Sequence, residues 1–134
     1  IDWVQTQILK WCLQYEDKFD DKRVFEPYSV SERLVSWCYI LIFVGEYIKD
    51  IKFWKIIRIS FESQLLLLIH NLEYHGKFTN NHILNNAQCL YTCGRILKLD
   101  AVEKLGKEII HTEFQCLFSI SDYVSNVCNT IVSA

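Results

Sequence analysis

At 134 residues, 51% of them hydrophobic and 14% aromatic, the chain has the size of one domain and the material for a packed core, which excludes a disordered or fibrous class. A net charge of −2 carries no basic surplus, so nucleic acid is not an expected partner. One Pro and four Gly are too few to punctuate many short strands and favour long helices.

The first helix is expected over Asp2–Tyr15, where Val4, Ile8, Trp11, Cys12 and Tyr15 recur at helical spacing. The charged stretch "EDKFDDKRVFEPY" reads as a surface connection. Ser29 and Glu32 have the spacing of a capping box just after Pro27. A second helix then runs to about Ile48. Its segment "LVSWCYILIFV" is apolar on nearly every side, as in a helix wedged between others. The uncharged run Leu34 to Gly45 falls short of the roughly 20 residues a spanning helix needs, so no membrane span is expected.

A third helix is expected over Asp50–Tyr74, ending near Gly76, and a fourth over Asn81–Leu97. A fifth starts after Asp100, a suitable N-cap, and runs to about Phe118, with Glu103 and Lys107 as an i,i+4 pair. From Ser119 the β-branched, Ser- and Asn-rich end reads as loop or a short helix. The fold class is therefore all-α, with antiparallel helical hairpins in a single helical domain over 1–134. No 34- or 40-residue period is present, which argues against helical repeat arrays.

Cysteines at 12, 38, 89, 93, 116 and 128 form no C-x-x-C pair, and most lie in apolar helical patterns, where buried thiols are expected. Cys89 and Cys93 share a helix face, but no second ligand pair has a zinc spacing. No metal is expected on that ground, and no cofactor is expected; no G-x-S-x-G, Walker or G-x-G-x-x-G motif occurs. His70 reads as a core or edge histidine and His111 as a surface one. His75 and His82 differ from these. They flank the short link between the third and fourth helices, beside Glu73, Tyr74, Asn80 and Asn81. Helix capping by Thr79, Asn80 or Asn81 accounts for one such residue, not for the set.

Three stretches resemble the heparinase II/III-type polysaccharide lyases. "FEPYSVSERLVSW" (25–37) is similar to that family's W-x-P-Y-x-x-x-x-R-x-x-x-W. "QLLLLIHNLEYHGKFTNNHILNNAQCLYTCGRIL" (64–97) is similar to its leucine-rich helix followed by L-E-x-H and N-H-x-x-x-N-x-x-x-L. "DAVEKLGKEIIHTEFQCLFSISD" (100–122) resembles the helix that comes next. The resemblance implies that the helices form part of an α/α toroid, and that the chain is a fragment of a larger protein with a β-sheet domain as its further partner. It implies β-elimination on an acidic, uronate-containing polysaccharide, and with it a periplasmic or secreted location.

In this resemblance Asn81 and His82 bind and neutralise the uronate carboxylate. The resemblance places the base tyrosine and a second histidine beyond Ala134; Tyr123 comes too early, and it follows Asp122 where the family has Gly. Tyr28, Arg33, Trp37, Glu73 and His75 are the candidate substrate-binding residues. Tyr28 and Trp37 could stack on sugar rings, Arg33 could meet sulfate or carboxylate, and Glu73 could orient His75 or His82. Core packing for Trp37 and a solvent-exposed charge for Arg33 are the competing readings. A non-catalytic helical domain that binds glycan or protein, or a structural bundle, remains the alternative to a lyase.

Overall fold

The computed structural model describes residues 1–74 and 81–132, with side chains described through Cys116. Among these residues there are five α-helices, one 3-10 turn and no strand: α1 (Asp2–Gln14), α2 (Pro27–Val44), the 3-10 turn Gly45–Tyr47, α3 (Ile51–His70), α4 (Asn81–Ile96) and α5 (Asp100–Val132). The fold is all-α. None of these helices is long and apolar enough to cross a membrane.

The helix starts follow local chemistry. α2 begins at Pro27 rather than at a Ser29–Glu32 capping box. Glu26 is the N-cap and makes no side-chain cap bond. Proline is suited to the first helical position, because its φ is preset and the N–H it lacks would have no partner there. Ser29 already lies in the first turn and donates its hydroxyl to Glu26 Oε1 at 2.9 Å. Asp50 caps α3, accepting from the Lys52 N–H at 2.8 Å.

Two helix ends differ from expectation. α3 stops at His70, four residues short of Tyr74, and Asn71 donates its side-chain amide to Leu67 O at 2.8 Å. A side chain that satisfies a final-turn carbonyl competes with the backbone N–H that would extend the helix. α5 continues to Val132 as one helix, where loop or a short helix was expected after Ser119. No Pro or Gly follows Gly106, and β-branched or Ser and Asn residues each cost a helix only a few tenths of a kcal/mol. Asp100 is the first residue inside α5, not a cap outside it. The expected Glu103–Lys107 pair is replaced by Arg95–Glu103 and Lys104–Glu108, each at 3.8 Å. Between α4 and α5, Lys98 takes a left-handed conformation (φ 56°) while the Leu99 N–H reaches back to Gly94 O at 2.7 Å. This is the usual way to stop a helix, done here without the usual glycine.

Cross-helix pairs give the topology. From α2 to α3 the pairs Arg33–Gln64, Trp37–Phe61 and Gly45–Trp54 run in opposite directions, so these helices are antiparallel. α4 and α5 are antiparallel on the same grounds, through Gly94–Glu103 and Tyr91–Gly106. Ser31–Asn86 and Cys38–Cys93 are both separated by 55 residues, so α2 and α4 run parallel. α1 lies along α3 in the same sense, with Gln5 on Asp50 and Cys12 on Ser60. Consecutive helices are thus antiparallel, and α1 lies beside α3 and α2 beside α4. That arrangement brings the N-termini of α2 and α4 to one end of the molecule.

The core is formed by Val30, Leu34 and Cys38 of α2, Phe53, Ile57, Phe61, Leu65 and Leu68 of α3, and Ile83, Ala87 and Leu90 of α4. Trp11, Tyr15, Phe25, Trp37 and Phe61 add an aromatic cluster with edge and tilted contacts at 5.0–6.1 Å.

The thiols are part of this core. Cys38 Sγ lies 3.5 Å from Cys93 Sγ, which lies 3.9 Å from Cys89 Sγ. The contact with Cys93 and burial push the Cys38 thiol well above its ordinary pKa. Cys93 feels a downward pull from Cys38, but Cys89 and burial prevail and it too is raised. Burial raises Cys12, against a hydrogen bond with Ser60. The thiolate is the reactive form. Native protein treated with iodoacetamide at about pH 8 is therefore expected to be alkylated at exposed Cys116, with Cys12, Cys38, Cys89 and Cys93 labelled only after unfolding. Peptide mass spectrometry reads the difference, and rapid native labelling of Cys38 would contradict the packing.

Candidate functional site

The early end of α3 shapes the site. Leu72–Tyr74 leave the helix, so the Glu73 N–H has no carbonyl four residues back and donates instead to Asn86 Oδ1 at 3.2 Å. The Asn86 amide nitrogen donates to Ser31 Oγ at 3.1 Å and meets Glu73 Oε2 at 3.4 Å. Asn86 and Ser31 are both 0% exposed. They tie the link, α2 and α4 together at one point.

Above this buried contact Glu73 Oε1 lies 3.1 Å from His82 Nδ1, with the two side chains 19% and 41% exposed. The Tyr28 ring, at the start of α2, lies 5.1 Å from the His82 ring at an interplanar angle of 46°. Asn81 is exposed in the first turn of α4, where the helix dipole favours an anion. The structure therefore brings three expected residues together, Tyr28, Glu73 and His82, from two helices and a link, with Asn81 exposed one residue before His82. Glu73 partners His82 rather than standing only at a wet helix end. His75, with Thr79, Asn80 and Gly76, lies outside the described residues.

Two candidates lie elsewhere. Trp37 is 7% exposed and packs between Trp11 and Phe61 at 5.1 and 5.7 Å. It belongs to the core and offers no face to a sugar ring. Arg33 is neither an exposed charge nor a surface anion contact. Its Nε donates to Gln64 Oε1 at 2.7 Å, both terminal nitrogens donate to Val24 O at 3.1 Å, and the guanidinium lies 4.2 Å from the Trp11 ring centroid. Burial pushes its pKa down to about 10, with Cys12 and Tyr15 acting the other way. At neutral pH the charge is retained and is spent inside the fold.

The other histidines are clear of the site. His70 is exposed and bonds Leu66 O at 2.7 Å, and exposed His111 meets Gln115 at 3.0 Å. Tyr74 follows Glu73 directly, but burial, together with Glu113 and Cys116, pushes its phenol up. It keeps its proton at neutral pH, which disfavours it as a base. Among the described residues no three His, Cys, Asp or Glu side chains are arranged to hold a metal ion.

The residue that sequence reasoning missed is Asn86. Its signal was present: it falls on the stripe Ile83, Asn86, Ala87, Leu90, Cys93 that the helix period points inward. A polar side chain on such a stripe needs buried partners. Family models, curated proteins and solved structures were compared with the chain, and none matches.

Proposed function

We propose that these helices form part of an α/α toroid in a lyase that cleaves uronate-containing polysaccharides by β-elimination, with Asn81 and His82 as its carboxylate-binding pair. The observation that carries the reading is the placement of His82, held by Glu73 and flanked by Tyr28 beside Asn81 at the exposed start of α4. The alternation of antiparallel neighbours with parallel second neighbours suits a toroid.

The chemistry explains the residue types. The C5–H of a uronate is weakly acidic while its carboxylate carries a full charge. Hydrogen bonds from the Asn81 amide and from Nε2–H of a doubly protonated His82 ring, whose Nδ1–H is already given to Glu73, stabilise the charge that builds as C5 loses its proton, aided by the helix N-terminus. A base takes that proton, a C4=C5 double bond forms, and the C4–O bond breaks. The departing oxygen then takes up a proton. The proton-transfer groups belong to other parts of the protein in this reading. Tyr28, 42% exposed, has a ring available to a sugar face.

The full-length protein incubated with alginate, heparan sulfate and related uronates is expected to generate the ultraviolet absorbance of the unsaturated product. Asn81→Ala or His82→Ala should lower kcat/KM by about 100-fold, the usual loss for one oxyanion donor. The 134-residue chain alone should give no turnover. Absence of product on every uronate would overturn the reading, and retained binding without product would favour a non-catalytic glycan-binding domain.

A further inference from the structure

We propose that Asn86 is a positioning residue for His82, acting through Glu73 to fix the imidazole in one tautomer and one orientation. The inference rests on the reading above for what His82 does, but the geometry it uses is independent of that reading.

Asn86 grips Glu73 twice, accepting from its backbone N–H at 3.2 Å and approaching Oε2 with its amide nitrogen at 3.4 Å. A carboxylate gripped at one end can swing about its terminal torsion, but one gripped at the backbone and at one oxygen cannot. Oε1 is then left aimed at His82 Nδ1, 3.1 Å away. A carboxylate only accepts hydrogen bonds, so Nδ1 must carry the hydrogen. Asn86 is itself held, since its amide nitrogen also donates to Ser31 Oγ from a position with 0% exposure.

The anchoring thus passes from the α2–α4 packing through Asn86 and Glu73 to a ring that is 41% exposed. A side chain that exposed loses its orientation readily unless something behind it is rigid. Precise sites are built with such support, and its loss typically reduces function by 10- to 100-fold in metal centres, where it has been measured most often. Asn85, its neighbour, takes no part in these bonds.

The test is the 15N chemical shifts of the His82 ring, read by long-range 1H–15N correlation on the 134-residue chain. At a pH where the ring is neutral, the wild type is expected to show the Nδ1–H tautomer, the opposite of the form that prevails for histidine in water. Glu73→Gln and Asn86→Ala are each expected to move it toward a mixture. Asn86→Asp covers the case in which the alanine variant does not fold. It keeps the volume and the acceptor for the Glu73 N–H, but it sets a second carboxylate against Oε2, and it too should lose the Nδ1–H signature.

In the full-length enzyme Asn86→Asp should lower kcat/KM by at least about tenfold. A wild-type Nε2–H tautomer would overturn the proposal, as would a folded Asn86 variant with an unaltered ring. Uronate turnover with the wrong tautomer removes the positioning role and leaves the lyase reading standing. The right tautomer without turnover does the reverse.

Discussion

Gly106→Ala is expected to destabilise the protein by about 3 kcal/mol, the upper end of the usual cost of overpacking. The sign is the point of interest. In an open helix the same change stabilises by roughly 0.5–1 kcal/mol, because alanine loses less backbone freedom than glycine. Here a Cβ on Gly106 would run into the Tyr91 backbone nitrogen and lie 2.6 Å from Ala87 O. Both are main-chain atoms inside α4, so no side-chain rotation relieves the clash. Gly94 mirrors it from the other helix, where a Cβ would strike the Glu103 nitrogen and lie 2.7 Å from its Cα. α4 and α5 therefore pack backbone to backbone at these two glycines. Either alanine variant must separate the helices and open the Ile109 contact with the core. Urea unfolding monitored by circular dichroism measures the effect. A Gly106→Ala variant as stable as the parent would show that the two helices do not approach this closely.

The second large effect is expected from Arg33→Met, a loss of about 2–3 kcal/mol. Methionine replaces much of the aliphatic volume, so the loss isolates the guanidinium. Removing it leaves Gln64 Oε1 and Val24 O without their donors, and Gln64 is 1% exposed. An unmet buried acceptor costs about 1–3 kcal/mol, and the Trp11 stacking adds about 1 kcal/mol. Against these stands relief from burying a charge, which makes the net smaller than the sum.

The pH dependence follows from the direction of the shift. Burial lowers the folded-state pKa from 12.5 to about 10, so the protonated form is the one the fold penalises. That penalty is complete below pH 10. It is relieved only as the pH rises through the folded-state value toward the unfolded one, where the unfolded chain holds the proton more tightly. From pH 6 to 9 both states are fully protonated at Arg33. The stability gap between parent and variant should be flat across that range. A gap that changes steeply near neutrality would place the effect on another group.

The stripes of α1, α2, α3 and α4 were legible because helix burial repeats every three to four residues, and each repeat is a local fact. Glu73 and His82 were legible as neighbours because only a short link separates them. Trp37 and Arg33 were not legible in the same way. Both fit a family motif and both fit a core, and one residue's spacing does not distinguish an aromatic turned toward Trp11 from one turned toward a ligand. The end of α5 was misread for a different reason. Loop and a short helix both fitted the weak helix formers after Ser119, and only Pro or Gly would have interrupted α5 strongly.

By itself the sequence determined the all-α class, the number of helices and the polar link between α3 and α4, because hydrophobic period, caps and breakers act over a few residues. Only the tertiary structure decided that α2 runs parallel to α4, that Ser31 and Asn86 meet across 55 residues, and that α4 and α5 approach backbone to backbone at Gly94 and Gly106. Those contacts depend on which helix faces press together, and many pairings bury similar apolar area. Choosing among them is left to close packing and to the partners that buried polar groups require.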